Sequence, residues 1–299
     1  MKLATTTGDF AKHFSTYREK AEAVCHAGFR YLDLDMYTIA ENDPLLVADD
    51  WEEICRQLKD CADSFGATFV QAHSPGGNPL QKDSQYESLL NATLRSIAVC
   101  GKLGIPNIVV HAGMLPGIGK EEYFEKNKTF YEKLFPAMEK YQVNVLCENS
   151  TKANMGNMYY LFTGKDMLEF VQYVDHPLFH ACWDTGHGNC EGKQYQEITA
   201  LGKELYALHI NDNRGQHDEH LMPFFGTMDA DEIMRALMDI DYRGYFTFEA
   251  GSVLHPSHFM PGGFAANTGS PLLFMQEHLE KLLYDTGVFL LKRYRCFEE

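Results

Sequence analysis

The sequence predicts a (β/α)8 barrel forming a single domain over residues 1–299. Three observations lead there. Eight short, mostly apolar runs alternate with amphipathic helical stretches. The third to sixth runs end at residues 73, 111, 148 and 184, about one strand-plus-helix unit apart. No Gly-rich dinucleotide turn follows the first run and no Ser/Gly/Pro linker divides the chain, so a doubly wound open sheet takes second place.

The runs read as strands are Lys2–Thr6, Tyr31–Asp35, Thr68–His73, Asn107–His111, Asn144–Glu148, Phe179–Asp184, Leu205–His209 and Tyr245–Glu249. Helical periodicity fills the gaps at Phe10–His26, Trp51–Phe65, Tyr86–Leu103, Glu121–Tyr141, Lys165–Val174 and Asp229–Asp241, with a weaker helix around Tyr195–Glu204. Gly28, Gly66, Gly104 and Gly244 fall where a helix should stop before the next strand. Pro106 breaks any helix running into the fourth strand. After the eighth strand, residues 250–270 read as a long loop, a lid or an oligomer contact. Residues 271–293 read as a helix that closes the barrel.

Composition narrows the function classes. Lys and Arg number 26 against 42 Asp and Glu, a net charge of −16. Phosphate backbones and anionic membranes attract the opposite sign, so neither nucleic acid nor a membrane is the expected partner. No signal-peptide core follows the N-terminus, and none of the eight cysteines forms a C-x-x-C pair. The expected setting is the cytoplasm, with reduced thiols.

In such a barrel, chemistry sits at the C-terminal ends of the strands. Here those ends carry His73, His111, Glu148, Asp184, His209 and Glu249. His187 follows Asp184 by three residues, and Asp218 and His220 lie after the seventh strand. Glu148, Asp184, His209 and Glu249 at one mouth would repel if left unpaired, and a divalent cation removes the problem. Mixed oxygen and nitrogen donors suit Mn²⁺, Mg²⁺, Co²⁺ or Zn²⁺. Cys147 alternates to the outer face and is no ligand. The bland reading of any single strand-end residue is a loop anchor. Four at one mouth make that reading weak.

The segments GFRYLDLD, VVHAG, LCENS, WDTGHGN, LHINDNRG and FTFE resemble the xylose isomerase-like TIM-barrel superfamily of sugar isomerases, ketose epimerases, inosose dehydratases and endonuclease IV. The resemblance spans about residues 1–250. It implies a divalent metal, Mn²⁺ first, held by Glu148, Asp184, His209 and Glu249. It implies a sugar or sugar derivative as substrate. Glu148 and Glu249 would be the catalytic acid/base pair, working through a metal-stabilised enediolate. His73, His111, His187 and Arg214 would contact the substrate, although Arg214 stands one residue nearer His209 than the pattern asks. Asn154 replaces an acidic substrate-contacting residue of the 3-epimerases, which departs from a simple fructose- or tagatose-type enzyme. The alternative is an endonuclease IV-like phosphodiesterase with three zinc ions. Its nine ligands would be His73, His111, Glu148, Asp184, His187, His209, Asp218, His220 and Glu249, so that Asp218 and His220 become additional metal ligands. Phosphorylation of the substrate and a homo-oligomeric state stay open. Gly262-Gly263 is the one weak candidate for a phosphate cradle.

Overall fold

The computed structural model describes residues 1–250 and 273–298. The loop expected at 250–270, with Gly262, Gly263, His255 and His258, lies outside the described residues apart from Ala250. So do the first two residues of the expected closing helix.

The eight strands are β1 (Lys2–Thr6), β2 (Tyr31–Asp35), β3 (Thr68–His73), β4 (Asn107–Val109), β5 (Asn144–Glu148), β6 (Phe179–Asp184), β7 (Leu205–His209) and β8 (Tyr245–Phe248). All ladder pairs are parallel, in the order β7-β6-β5-β4-β3-β2-β1-β8. A parallel bridge from Ile210 to Phe248 spans the remaining seam. There Ile210 N donates to Thr247 O at 2.8 Å and Glu249 N donates to Ile210 O at 3.1 Å. The result is the expected (β/α)8 barrel. The fourth and eighth strands stop short of their expected ends, leaving His111 and Glu249 just beyond the ladder at the mouth.

Local signals explain most helices. The first, α1 (Tyr17–Ala27), starts at a capping box in which Thr16 accepts from Glu19 N and Glu19 reaches back, and it ends at Gly28 with φ +119°. This cap overrides the longer helix expected from Phe10; residues Thr7–Phe10 form a separate 3₁₀ turn. Next come α2 (Trp51–Ser64) and α3 (Tyr86–Leu103), followed by Gly66 and Gly104 at positive φ. The single helix expected over Glu121–Tyr141 divides into α4 (Lys120–Tyr131) and α5 (Phe135–Tyr141), because Pro136 has no N–H to continue the ladder. Two short helices escaped the periodicity reading: α6 (Lys152–Met155) and α8 (Thr185–Glu191). Between and after them lie α7 (Gly164–Val174), α9 (Tyr195–Leu201) and α10 (Ala230–Asp239). The last of these stops before Gly244; Asp241, at φ +54°, takes the left-handed turn instead.

The long helix α11 (Leu273–Arg293) packs beside α1 and β1. A Cβ at Gly287 would come 2.6 Å from Leu3 and 2.8 Å from Phe248, so the helix backbone lies hard against the strands. Beyond it, Glu298 N donates to Met1 O and the Glu298 carboxylate pairs with the N-terminal ammonium at 3.0 Å. The main apolar core fills the layer between strands and helices. A small second cluster of Val109, Leu146, Cys182 and Ala207 plugs the barrel interior below the mouth. Among the described residues, no helix is long and apolar enough to cross a membrane.

Candidate active site

Strand alternation sends one side chain in two into the barrel. On β5 this buries Cys147 outward and points Glu148 inward; on β6 it points Asp184 inward one layer above Cys182. Register then sets the level: Glu148 stands opposite Cys182, and Asp184 opposite His209. Glu148, Asp184, His209 and Glu249 each offer a donor atom within 4.8 Å of the others. His209 Nδ1 lies 2.8 Å from Glu148 Oε1 and 3.3 Å from Glu249 Oε2.

Two flanking groups complete the mouth. On one side His111 Nε2 meets Glu148 Oε2 at 2.7 Å and His73 Nε2 at 3.2 Å. On the other, Asp218 Oδ2 receives His187 Nε2 at 3.0 Å, His220 Nε2 at 3.2 Å and the Asn154 amide at 2.9 Å. These residues open onto a cavity of about 380 Å³, whose far wall is formed by Thr6, Gly8, Asp9, Asp35, Tyr37 and Thr38.

The WDTGH segment shows how the local fold builds the site. Asp184 caps α8: its Oδ1 accepts from His187 N at 2.6 Å. The first helical turn therefore swings His187 back over the mouth. The second oxygen of Asp184 accepts from the Asn211 amide at 2.6 Å, and Asn149 holds the Asp184 backbone from β5.

Electrostatics follow from burial and crowding. Burial opposes the charge on Glu148, yet His209, His111 and His73 hold its carboxyl well below the usual range. Burial lifts Asp184 to about 6 despite His187. Against the same desolvation, Asp184 and Asp218 raise His187 to about 10, and Asp218 raises His220 well above a free imidazole. Burial prevails at His111, which is lowered. In the metal-free protein, imidazolium protons thus neutralise the buried carboxylates. The donor set fits a cation taking over that role: three carboxylates and one imidazole converge, and among the described residues His187 Nδ1 and Asp218 Oδ1 are buried without hydrogen-bond partners.

The structure brings together nine of the ten residues singled out in the sequence. Arg214 is the exception. Its side chain is 59% exposed, pairs with Glu219 and does not line the cavity. The loop after β7 is anchored by Asp212, whose carboxylate accepts from the backbone of Phe224, Gly226 and Met228, and this course carries Arg214 outward. Sequence reading missed Asn211 and Asn149, which clamp Asp184, and Asp33 and Cys182, one layer beneath the mouth. Period-2 alternation from His209 and Glu148 pointed at Asn211 and away from Asn149. Nothing local marks Asp33, which meets His209 only across the barrel.

A parallel barrel whose strand ends gather titratable groups around one cavity defines the class of (β/α)8 barrels with a polar mouth. The chain belongs to the xylose isomerase-like TIM barrel family, whose model matches residues 21–261. Among curated relatives, an uncharacterized protein of Sinorhizobium fredii is 29% identical over 175 residues, 56% of this chain and 54% of that protein, so the match spans about half its length. A probable endonuclease 4 of Citrifermentans bemidjiense is 30% identical over 128 residues, 38% of this chain and 44% of the relative. A fructoselysine 3-epimerase of Escherichia coli O157:H7 is 45% identical over 49 residues, 16% of this chain and 18% of the relative. Among solved structures, the D-psicose 3-epimerase of Clostridium cellulolyticum H10, crystallised with D-tagatose, superposes with a TM-score of 0.76 at 19% identity. The superposition covers 97% of this chain and 99% of that one. At that identity the likeness bears on the fold.

Proposed function

We propose that this protein is a divalent-metal-dependent sugar epimerase or isomerase that abstracts a proton next to a carbonyl. The observation that carries the reading is the four-donor set Glu148, Asp184, His209 and Glu249, with both glutamates facing one cavity. The 3-epimerase relatives and structural neighbours support the same chemistry. Glu148, Asp184, His209 and Glu249 would hold the cation, which would supply Lewis-acid polarisation of the substrate and positive charge against the negative charge that develops on proton removal.

The chain's own residues do the rest. Glu148 and Glu249 enter the mouth from β5 and from the end of β8, so one removes the substrate proton and the other returns one. Glu148 is 2% exposed and gripped by His209 and His111, which favours a fixed orientation; Glu249, 27% exposed, is the more accessible of the two. His73, His111 and His187 line the same space and bind substrate hydroxyls. The mouth sits between residues that exclude water from below, Val109, Leu146 and Ala207 among them.

Cavity chemistry favours a substrate without phosphate. No Lys or Arg lines the cavity among the described residues, while Asp9 and Asp35 do. Residues 251–272 contain neither Lys nor Arg. Manganese is the first expectation for the metal.

The test is deuterium wash-in from D₂O at the carbon next to the carbonyl, across a panel of ketoses with Mn²⁺ added. Glu249→Gln should lower the rate by roughly 10²–10⁴-fold, and chelation should abolish it until Mn²⁺ is restored. Unchanged wash-in and turnover in Glu249→Gln sinks the acid/base assignment.

One observation favours a second reading. His73–His111–Glu148 and Asp184–His187–Asp218 are also spaced to hold cations, as a three-zinc phosphodiesterase would need. Metal analysis separates the two readings: one ion per chain supports the epimerase, and three zinc ions with cleavage of abasic-site DNA support the nuclease.

A further inference from the structure

We propose that Asp33 is a positioning residue for His209, setting its tautomer and ring orientation from beneath the mouth. The proposal rests on the metal reading above. His209 turns Nδ1 toward Glu148 and Glu249, so Nδ1 is the nitrogen on the ligand side. A lone pair on Nδ1 requires the ring proton on Nε2. That atom is wholly buried and, among the described residues, makes no hydrogen bond of good geometry. Asp33 Oδ2 stands 3.4 Å away, and its neighbour Oδ1 is also buried and has no hydrogen-bond partner among the described residues. The unsatisfied Nε2 thus faces a carboxylate that has acceptor capacity left on Oδ1, and a small rotation of the imidazole joins donor and carboxylate.

The carboxylate is itself held. Gln71 Nε2 donates to Asp33 Oδ2 at 2.9 Å and also lies 3.4 Å from Leu208 O. Thr247 Oγ1 donates to Gln71 Oε1 at 3.3 Å. All four side chains are buried. A register shift between Leu32 and Asp33 in the β2–β3 ladder falls where this side chain is aimed inward. The chain Thr247–Gln71–Asp33–His209 therefore crosses the barrel interior and links β8, which leads into Glu249, to β7, which presents His209.

The experiment uses the full chain, stripped with chelator and titrated with Mn²⁺, read by electron paramagnetic resonance and by thermal shift. Asp33→Asn should bind Mn²⁺ about 10–100-fold more weakly, and saturating Mn²⁺ should recover most of the wash-in rate. Binding within twofold of wild type overturns the proposal. A second measurement needs no variant: in ¹⁵N-histidine-labelled wild type loaded with Mg²⁺, His209 should carry a slowly exchanging Nε2 proton. A proton on Nδ1 overturns the proposal even if Asp33→Asn does not fold. Wild type that takes up no cation overturns the metal reading and this proposal with it; wild type that binds while Asp33→Asn binds equally overturns this proposal alone.

Discussion

Asp184 does two jobs at once. It presents a carboxylate to the mouth and caps α8, so the residue that belongs to the proposed donor set also aims His187. The LHIND segment divides its labour similarly: His209 faces the donor set, Asn211 clamps Asp184 and Asp212 pins the following loop. His187 makes a pH prediction possible. Its folded value, about 10, lies above that of a free histidine. Its stabilising contribution is therefore fully present below about pH 6.5 and is lost as pH rises toward 10. Denaturation of chelator-treated protein should show wild type more stable than His187→Asn at pH 6, with the margin gone by pH 10. A margin that grows with pH contradicts the assignment.

At the scale of elements, the start of α8 leaves no room for a side chain. A Cβ at Gly186 would sit 1.8 Å from Asn211 Oδ1, and Asn211 is the residue that orients Asp184. Gly186→Ala should cost about 1–3 kcal/mol by overpacking and weaken Mn²⁺ binding at the same time. Paired thermal melts and Mn²⁺ titrations check this, and a variant that loses stability but keeps wild-type Mn²⁺ affinity breaks the proposed link. Elements of ordinary length were legible because periodicity and terminating glycines mark them, as at Gly28, although the capping box at Thr16 that starts α1 was passed over. The short α8 was not, because seven residues of TGHGNCE carry no apolar face; its signal lies in the capping aspartate.

The whole molecule is closed by α11, and the closure carries an unusual cost. Glu280 and Gln276 are buried on that helix, where Glu280 faces Asp9, Thr5 and Gln276. Burial, and Asp9 beside it, push the Glu280 carboxyl well above the usual carboxylate range. An acid raised on folding contributes stability below its unfolded value, and loses it as pH rises through the folded one. Glu280→Gln should therefore melt higher than wild type at pH 8 and gain nothing at pH 4. Equal melting temperatures at both values would show that the buried carboxyl costs nothing.

From the sequence alone came the barrel, its eight strands nearly to the residue, and the four side chains of the donor set. Those features depend on local periodicity and on position at strand ends, which neighbouring residues encode. Tertiary structure alone decided which polar residues meet across the barrel. Asp33 reaches His209 over 176 positions of chain, Gln71 joins Thr247, and Arg214 leaves the site altogether. Such meetings arise from sheet register and loop course, and a linear reading of spacing contains neither.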